Sequence, residues 1–494
     1  MLVKDKELRQ VFSGGIYSPL TNDAIEKIHE TSMRVFEEVG VKIAYRPILD
    51  RWRQAGADID EKNLVARLDR NVIKKCLATA PKEIVLSALD PKYDMTLSGL
   101  RTYIGSGGTA INIVDVYTGE CRPTNIRDVA AMSRMAEACK NIDFTMVGCY
   151  PCELKKNIVD VNRFYATICN TSKHICGSAY TVQGVNRLAR LVELISGSKE
   201  AFRKRPFISL IAAVMSPLVI GEEHGKMIEA ACLAGFPLHT PCAPIAGSTA
   251  PVTLAGTLVQ MNVESLMAVV TTQLIEPGHP ILYSAVPTMV DLRTGAFCFG
   301  SIETTMLNAA ASQVARFYSL PIYASVGISE SKTNDAQSVY ESACSILLNA
   351  MSGGNFIHDA AGLLESGLTA SLTKYVIDDE IIGMARRVLK GINVDENTLA
   401  LECIKRVGPA GNYLSDEHTL SYMRKEYFYP NLADRCSRTT WETNGKVIAE
   451  ERARLIAINI LEQSNYFLLD GLFDAEIRKE FPEICNDTGK LYGV

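Results

Sequence analysis

Apolar and polar positions form a repeated unit from about residue 100 to about residue 395. Each unit has a short run of apolar or small residues, then a loop rich in Gly, Ser and Pro, then a stretch with apolar residues at helical spacing. The short runs predict eight strands, at residues 102–107, 144–150, 174–180, 207–215, 238–244, 280–286, 321–327 and 355–361. The longer stretches predict helices at residues 125–140, 185–195, 222–234, 253–275, 301–318, 335–351 and 378–389. Strands that alternate with helices indicate parallel strands joined by helical crossovers.

Eight such units close most economically as a (β/α)8 barrel of the TIM type, so the predicted fold class is α/β. An open, doubly wound sheet is the alternative, but no Gly-x-Gly-x-x-Gly turn opens the first unit. The flanks lack the repeat and are charged and rich in helical patterns. We therefore predict a barrel over residues 101–395, a helix-rich N-terminal cap over 1–100, and a helical C-terminal extension over 396–494 packed on the barrel.

Composition narrows the class of protein. The 494 residues carry a formal net charge of -5 and no basic run, which argues against a nucleic-acid binder. Fourteen cysteines show no disulfide spacing, and the chain opens without the apolar core of a signal peptide. Apolar stretches such as 207–220 are too short for a membrane span and are broken by Ser216 and Pro217. We expect a cytoplasmic protein that binds neither nucleic acid nor membrane.

In a barrel of this type the active site lies at the carboxyl ends of the strands. The residues predicted there are rich in small side chains, tyrosines and hydroxyls, and poor in the His, Asp and Glu sets of metal hydrolases. No His-x-x-x-His pair, nucleophile elbow or phosphate-binding Gly-Lys-Ser/Thr loop occurs. The pattern indicates a pocket that holds a ligand rather than one that activates water, and it predicts no metal.

Two short motifs have competing interpretations. The sequence "CYPC" at residues 149–152 has the spacing of a redox pair or half a zinc site, but without a second such motif it is typical of structural thiols. The sequence "GSGGT" at residues 105–109 either binds an anion through its N–H groups or turns the chain into the hairpin "INIVDVYTGECRP" over the barrel mouth.

The seven histidines differ in their position along the strands. His174 opens a strand and His239 lies one residue into another, so both are predicted to be core residues far from the chemistry. His358 lies late in its strand, with Phe356 on the same face by the two-residue period. Glu330 follows another strand, ahead of a capped helix. His358 and Glu330 are therefore the candidate catalytic residues.

Three long blocks carry a resemblance: "CAPIAGSTAPVTLAGTLVQMNVESLMAVVTTQLIEPGHPILYS" (242–284), "ISESKTNDAQSVYE" (328–341) and "GLLESGLTASLTKYVIDDEI" (362–381). They resemble, in order, the trimethylamine:corrinoid methyltransferase superfamily. Its members have a (β/α)8 barrel and move a methyl group from a methylamine or betaine to the cobalt of a separate corrinoid protein. Members that use trimethylamine carry pyrrolysine, whereas this chain contains only the twenty standard residues. The resemblance therefore implies the non-pyrrolysine branch, which demethylates quaternary amines.

On this resemblance we predict an enzyme that moves a methyl group from a quaternary amine, glycine betaine first, to the Co(I) of a cognate corrinoid protein. The corrinoid (cobalamin) belongs to that partner, and no cofactor is expected to be bound tightly. Further copies of the chain are expected as partners in a homo-oligomer. The predicted substrate contacts are an aromatic cage from Tyr103 and Phe356, a carboxylate anchor from His358 and Arg316, negative charge from Glu330, and further contacts from Asp359 and Tyr283.

Other functions stay open at this stage. The substrate of a methyltransferase could equally be proline betaine, carnitine or butyrobetaine. A metal-dependent hydrolase would use His174, His358 and Asp359. A non-catalytic barrel that binds betaines, or that serves as a scaffold for the corrinoid protein, is the third possibility, since a barrel fold does not by itself decide function.

Overall fold

The computed structural model describes residues 12–463 and 471–491. Eight parallel strands form its central barrel, namely β1 (Arg101–Ile104), β2 (Phe144–Met146), β3 (His174–Ser178), β4 (Ile208–Ile211), β5 (Leu238–His239), β6 (Ile281–Ala285), β7 (Ile322–Ser325) and β8 (Phe356–His358). A helix follows each strand, namely α1 (Ile126–Ala138), α2 (Val159–Ile168), α3 (Val182–Ser196), α4 (Glu222–Ala234), α5 (Leu254–Ile275), α6 (Ile302–Phe317), α7 (Ala336–Ser352) and α8 (Leu372–Leu389). A short helix, Lys199–Lys204, lies between α3 and β4.

The barrel is closed all the way round. Each strand from β2 to β8 pairs in parallel with the next, and β8 pairs with β1 through Phe356 opposite Tyr103. The last seam, between β1 and β2, is joined by the Asp143 N–H donating to the Ile104 carbonyl (2.7 Å) and the Ser106 N–H donating to the Phe144 carbonyl (3.3 Å). The prediction of a (β/α)8 barrel is confirmed.

The structure contains one helix that the sequence pattern does not predict and another that begins earlier than predicted. The helix α2, "VDVNRFYATI", had no counterpart in the prediction, because all of its residues are buried and its polar residues therefore hide the amphipathic pattern. The helix α8 begins at Leu372, well before the predicted residue 378, since its first turn is also buried, Lys374 included. In both cases polar side chains that form hydrogen bonds inside the protein give the sequence the pattern of a loop.

The N-terminal part of the chain packs round the barrel. Helices Asn22–Arg34, Arg46–Gln54 and Arg70–Thr79 lie there, and a five-residue π-helix, Val35–Val39, follows the first of them. Strands Val41–Ile43, Asp58–Asp60 and Val65–Arg67 form a small sheet with Val219–Ile220. Strand Phe12–Ser13 pairs antiparallel with β1. The helices Asn22–Arg34 and Arg70–Thr79 both contact α5, so this region covers one side of the barrel.

An antiparallel hairpin closes the amino end of the barrel. Its strands, Ile84–Leu86 and Met95–Leu97, are joined through the 3-10 turn Pro91–Tyr93. The inward side chains of the hairpin form one apolar cluster with lumen side chains, including Phe144 and Phe356. The Ser87 N–H also donates to the Pro206 carbonyl, just before β4. Within the described residues the lumen is therefore plugged at this end, and it opens towards the carboxyl end, the barrel mouth.

Two small sheets surround the barrel mouth. One contains Asn112–Val114, Cys121–Pro123, Leu363–Leu364 and Thr369–Ser371, and the other contains Ile245–Ala246, Thr288–Val290 and Phe297–Cys298. The first pair of strands, joined antiparallel, is the hairpin predicted to follow "GSGGT". The extra strands all come from loops that follow barrel strands, so these loops are ordered around the mouth.

The chain beyond α8 is helical. Helices Leu401–Val407, Glu417–Glu426 and Arg438–Thr443 come first, then Ala449–Glu462, which packs on α8 and α1. Helix Gly471–Glu480 follows, and the first part of the predicted segment "NYFLLDGLFDAEIRKEF" lies outside the described residues. The carbonyl of Gly489 accepts from the Asn170 amide after α2, which ties the described end of the chain to the barrel.

The most apolar helix of the barrel is α5. By length and composition it is the single described helix that could cross a membrane, but 72% of that stretch is buried inside the protein. It contacts five neighbouring helices and β6, as the central helix of a packed domain does. All fourteen cysteines are free thiols, Cys149 buried and Cys152 exposed among them, so "CYPC" is not a disulfide.

Candidate active site at the barrel mouth

Aromatic side chains fill the lumen below the mouth. The rings of Phe144 and Phe356 are stacked with centroids 3.6 Å apart, and Tyr323 stacks on the far side of Phe356 at 5.7 Å. Tyr103, opposite Phe356 in the ladder, completes the layer, and each of the four side chains is buried. The structure thus brings Tyr103 and Phe356 together, as the packed floor of the site with no open ring face.

His358 lies one layer nearer the mouth. Its ring stacks on Tyr323 with centroids 4.0 Å apart, and its side chain is only 7% exposed. The Nδ1 atom lies 2.9 Å from Oδ2 of Asp359, but neither ring nitrogen is aligned for a hydrogen bond with any described residue. A buried imidazole with both nitrogens unbonded is rare and marks a place where a ligand or water can bind.

Asp359 is held by three strands at once. Its backbone adopts a left-handed conformation (φ 63°), and its N–H donates to the Ser106 carbonyl. Oδ2 accepts from the Ser325 hydroxyl (2.7 Å), and Oδ1 accepts from the Gly108 N–H (3.4 Å). Such a backbone conformation costs free energy for a residue with a side chain, and these bonds compensate for it. The carboxylate therefore has a fixed position beside His358.

The "GSGGT" loop does not form an anion site. The Gly108 N–H already donates to the Asp359 carboxylate, and the N–H groups of Ser106, Gly107 and Thr109 donate to carbonyls of the barrel. With these donors used inside the protein, the alternative interpretation as a turn is the one that the structure supports.

Glu330 lies in the loop after β7, at the outer part of the mouth. Both carboxylate oxygens accept from the Gly300 N–H, at 2.9 and 3.0 Å. Burial raises the pKa of the Glu330 carboxyl, and the charge of nearby Glu341 adds to this effect. Glu341 in turn accepts from the Ser329 hydroxyl and the Glu330 N–H. Within residues 12–463 and 471–491, neither carboxylate has a Lys or Arg ion pair.

A cavity of about 780 Å³ opens beside Glu330. Its charged lining consists of Asp291, Glu303, Glu330, Glu341 and a single base, Arg293. Apolar side chains including Met289 and Leu292 form the rest of the wall. Arg293 is paired with Asp291 at 2.7 Å, so three carboxylates remain without a cation in this part of the described chain. The outer mouth therefore favours a positively charged ligand.

Two predicted contacts lie away from the mouth. Tyr283 points out of the barrel towards α5, where its hydroxyl donates to the Asn262 side chain at 3.0 Å. Arg316 lies in the last turn of α6, and a helix that follows a barrel strand ends at the amino end of the barrel. Its Nη1 donates to the Ser352 carbonyl there, and burial lowers its pKa. The structure does not bring Tyr283 or Arg316 to His358 and Glu330.

Of the residues of the hydrolase alternative, His174 does not join His358 and Asp359. His174 is bonded through both nitrogens, to the Ser87 carbonyl (2.6 Å) and the Ser209 hydroxyl (2.8 Å), and burial lowers its pKa to about 4. It lies at the plugged end, as predicted for a core histidine. His239 shares the same Ser209 hydroxyl. The described residues hold one possible metal cluster, Cys232 with Glu276 and His279, in which Glu276 is already paired with Arg203.

A buried ion pair that was not predicted supports the mouth from behind. Lys374 lies 2.8 Å from Asp378 one helical turn later, and both side chains are at most 1% exposed. The ammonium also donates to the Ser342 hydroxyl, while Asp378 accepts from the Gly362 N–H. The pair thus links α7, α8 and the loop after β8. Nothing in the local sequence separates this lysine from a surface one.

Tyr323 and Ser325 were also missed, although a signal for them exists. They lie opposite Phe356 and His358 in the ladder and face the lumen by the same two-residue period. Applied to β7 as it was to β8, that period would have identified both. Glu341 carried no such signal, because it reaches the mouth from the middle of α7.

Known proteins match the chain over nearly its whole length. The trimethylamine methyltransferase (MTTB) family matches residues 4–483. The trimethylamine methyltransferase MttB of Desulfitobacterium hafniense is 32% identical, over 96% of this chain and 94% of that protein. A glycine betaine methyltransferase from another strain of that species is 31% identical, over 97% of this chain and 98% of that protein.

A solved structure has the same fold. The monomethylamine methyltransferase (MtmB) of Methanosarcina barkeri superposes with a TM-score of 0.51 at 13% sequence identity, and the match covers 90% of this chain and 88% of that one. Sequence match and barrel architecture agree with the resemblance carried by the three blocks of the sequence. The chain is a methyltransferase that belongs to the trimethylamine methyltransferase family.

Proposed function

We propose that this chain transfers a methyl group from a quaternary amine, with glycine betaine as the best candidate, to the Co(I) of a cognate corrinoid protein. The observation that carries the proposal is the combination, at one barrel end, of unpaired carboxylates at Glu330 and Glu341 with the buried imidazole of His358. The carboxylates attract the ammonium head, and the imidazole offers a donor to the substrate carboxylate.

The substrate orientation follows from the shape of the site. The methyl group must face the partner, which can approach only through the mouth, so the substrate carboxylate lies deep and the ammonium lies outward. Nε2 of His358 donates to the carboxylate, and Nδ1 faces Asp359. In this orientation the negative charge of Glu330 lies on the side of the ammonium. Arg316 takes no part, because it lies at the other end of the barrel.

The chemistry suits a site built for positioning. The acceptor is the Co(I) nucleophile of the partner, and the group that leaves is a neutral tertiary amine, so no proton has to be delivered to it. Alignment of donor and acceptor contributes on the order of 7 kcal/mol as effective molarity. His358, Asp359 and Glu330 therefore act by holding the substrate in line.

The choice of substrate rests on two observations. Relatives that use trimethylamine carry pyrrolysine, and this chain has only standard residues, which disfavours trimethylamine despite the name of the 32% identical relative. A relative of almost equal similarity is a glycine betaine methyltransferase. The cavity beside Glu330, about 780 Å³ and without His358 in its wall, has room on the ammonium side for larger ligands. Proline betaine, carnitine and butyrobetaine are therefore the second candidates.

The proposal is tested by mixing the purified chain with chemically reduced Co(I)-cobalamin and one compound at a time. The panel contains glycine betaine, proline betaine, carnitine, butyrobetaine, choline and trimethylamine. Loss of the Co(I) absorbance and gain of the methyl-Co(III) absorbance are followed. We expect methylation with one betaine and none with trimethylamine. The cognate corrinoid protein replaces free cobalamin in a parallel series, since the partner rather than the free cofactor is the proposed acceptor.

Each result distinguishes between the candidate functions. Turnover of trimethylamine alone would contradict the substrate assignment. Turnover of choline together with glycine betaine would keep the ammonium site and contradict the carboxylate contact at His358. Binding of a betaine in calorimetry, without methyl transfer to either acceptor, would replace the enzyme by the non-catalytic binding barrel. Metal-dependent hydrolysis of any compound in the panel would support the hydrolase function instead.

A further inference from the structure

A second cavity, of about 550 Å³, lies at the plugged end of the barrel. Its wall comes from five parts of the chain, which are strand Phe12–Ser13, the 3-10 turn Pro91–Tyr93, the residues after α1, the last turns of α8 and residues 425–428. Because α1 and α8 end at the amino end of the barrel, this cavity lies opposite His358 and Glu330. A ligand bound in it does not contact the site at the mouth.

The wall of this cavity is strongly basic. It carries six basic side chains and no acidic one among the described residues, and the six are Lys92, Lys140, Arg386, Arg387, Lys390 and Lys425. The chain as a whole has a net charge of -5, so its composition does not account for this concentration. Bases gathered in a concave site produce a focused positive potential. We call this site the basic cavity.

Half of these bases have a carboxylate partner outside the wall. The distances lie between 2.6 and 3.5 Å, and the pairs are Arg386 with Asp143, Lys92 with Asp90 and Arg387 with Glu426. The other three, Lys140, Lys390 and Lys425, are exposed and pair with no carboxylate of the described residues. The Lys390 ammonium donates to the Lys425 carbonyl, which joins the end of α8 to the C-terminal extension. Three lysine charges are therefore left for a ligand.

Helix ends explain part of this charge. The helix α8 and the helix Glu417–Glu426 have bases in their last turns, where a base interacts favourably with the partial negative charge of the helix end. This effect does not account for Lys92, which lies in the hairpin turn, or for a wall without an acidic residue. Lysines that meet from α1, α8 and the extension repel one another unless an anion lies between them.

Aromatic rings form the apolar part of the wall, and they are Phe12, Tyr93, Tyr427 and Phe428. The Arg386 guanidinium lies 5.4 Å from the centroid of the Phe12 ring, and the Lys92 ammonium lies 4.7 Å from that of Tyr93. The Tyr427 side chain is 66% exposed, so its ring is available for stacking. Lysines bind phosphate groups, and aromatic rings stack on a planar base.

We propose that the basic cavity binds a nucleotide, with its phosphates on Lys140, Lys390 and Lys425 and its base against the aromatic wall. A volume of about 550 Å³ lies within the range of pockets for ligands of this size. The proposal does not depend on the methyl-transfer reaction, because no residue of the basic cavity belongs to the mouth. A bound nucleotide joins the hairpin that plugs the barrel to the C-terminal extension, since both contribute to the wall.

The test is titration calorimetry of the full-length chain with ADP, pyrophosphate and adenosine as separate probes, without Mg²⁺. We expect one ADP per chain, and binding of pyrophosphate that is at least about tenfold weaker because it has no base to stack. Adenosine, which lacks phosphates, should bind more weakly than either. Added KCl should weaken ADP binding, since salt screens the lysine charges. Saturating glycine betaine should change the ADP affinity by less than about twofold, since the two sites are separate.

A pair of matched variants places the site. The double variant Lys140→Gln/Lys425→Gln should bind ADP at least about tenfold more weakly, because two charged contacts to phosphate are lost. The control Lys74→Gln/Lys75→Gln removes the same charge from exposed lysines of the helix Arg70–Thr79 and should bind ADP as the wild type does. Both double variants should keep methyl transfer to free cobalamin, so a failed nucleotide site and a failed enzyme assignment are told apart.

Several outcomes would overturn the proposal. They are a wild type that binds no ADP, pyrophosphate that binds as tightly as ADP, and equal ADP affinity in the two double variants. Hydrogen exchange of the wild type gives a decision that requires no variant. With ADP bound, the amides of residues 92–93 and 425–428 should exchange more slowly, whereas slower exchange confined to the barrel mouth would contradict the assignment.

Discussion

The His358 ring stacks on Tyr323 with no hydrogen bond at either nitrogen, and such a group costs folding free energy that a ligand can recover. Asp359, one residue on, is fixed by Ser325 and Gly108 and so cannot move away from the imidazole. His358 and Asp359 are thus arranged to bind a ligand, and this arrangement lowers the free energy of unfolding of the ligand-free protein. This trade-off is measurable because the two effects have opposite signs.

The variant His358→Phe keeps the stacked ring and removes both nitrogens. We expect glycine betaine to bind at least about tenfold more weakly, the equivalent of one hydrogen bond to a charged group. The midpoint of thermal unfolding should stay the same or rise, since an unbonded polar group is lost. Calorimetry and thermal denaturation measure the two effects. His29→Phe, outside the barrel, is the control, and an equal loss for choline would contradict the carboxylate contact.

The variant Glu330→Gln separates charge from shape at the outer mouth. Burial raises the pKa of Glu330, so its ionised form costs stability at every pH above the folded pKa, and this cost disappears below the ordinary glutamate pKa of 4.5. We expect the variant to be more stable than the wild type at pH 7, by about 0.5 kcal/mol. The difference should vanish below pH 4.5.

The same substitution should weaken binding of the quaternary amine substrate. The KM for the quaternary amine should rise in Glu330→Gln, and the wild-type KM should rise towards the variant value as the pH falls and Glu330 gains its proton. Glu303→Gln removes a carboxylate from the same cavity, in the first turn of α6, and should change KM less because Glu303 does not belong to the Glu330–Glu341 pair. A pH profile of KM that is identical in wild type and Glu330→Gln would assign the titration to another group.

At the scale of the elements, α7, α8 and the loop after β8 are joined through one buried ion pair. Lys374 and Asp378 bond to each other, to Ser342 and to Gly362, all without exposure to water. Such a pair stabilises little compared with an apolar pair of the same size, but either partner alone is an uncompensated buried charge. Its value lies in fixing the loop that follows His358 and Asp359.

The variant Lys374→Met should lose about 3–5 kcal/mol of unfolding free energy, because Asp378 is left buried without its partner. The double variant Lys374→Met/Asp378→Leu should recover most of this loss. Urea unfolding of the wild type, both single variants and the double variant gives the coupling energy directly. Additive losses in the two single variants would show that the pair does not act as a unit.

Much of the barrel could be predicted from the periodicity of the sequence, and the exceptions have one cause. The eight strands follow from apolar runs separated by helices, but α2 and the start of α8 put polar residues such as Arg163 and Lys374 inside the protein. Arg163 donates to the carbonyls of Cys149, Ser178 and Val147 at the ends of β2 and β3. Periodicity cannot distinguish a polar residue that binds carbonyls inside from one that faces water.

The site could be predicted only as far as strand direction was used. His358 was placed correctly at the mouth by its late position in β8. The direction of the return helix would have placed Arg316 at the plugged end, and the alternation of β6 would have turned Tyr283 away from the lumen. The contacts of Glu330 with Gly300 and Glu341 join separate loops and helices, and no local pattern contains them.

At the scale of the whole molecule, the two ends of the barrel have different surfaces. The plugged end leads to residues 391–448 of the C-terminal extension, while the mouth carries exposed apolar side chains on its own loops, Phe297 (51% exposed) and Leu292 (70% exposed) among them. Ser366 donates to the Phe297 carbonyl and so joins the loops after β6 and β8. This rim is where the corrinoid protein is proposed to bind.

The variant Phe297→Glu should therefore reduce methyl transfer to the cognate corrinoid protein at least tenfold, because a charge replaces an apolar contact. Transfer to free cobalamin should stay within twofold, since a small acceptor does not need the rim. Leu233→Glu, at an equally exposed leucine away from the mouth, is the control. Equal losses with both acceptors would place the effect inside the site rather than at the rim.

The hairpin Ile84–Leu86/Met95–Leu97 closes the amino end of the barrel, so the barrel mouth is the way into the lumen among the described residues. The amine substrate, the demethylated amine and the proposed corrinoid protein all use this opening. The corrinoid protein is the largest of them and blocks the opening while it is bound. With the corrinoid protein docked at the mouth as proposed, we expect a compulsory order in which the amine enters before it docks and the demethylated amine leaves after it departs. A saturating excess of corrinoid protein becomes an inhibitor that traps empty enzyme.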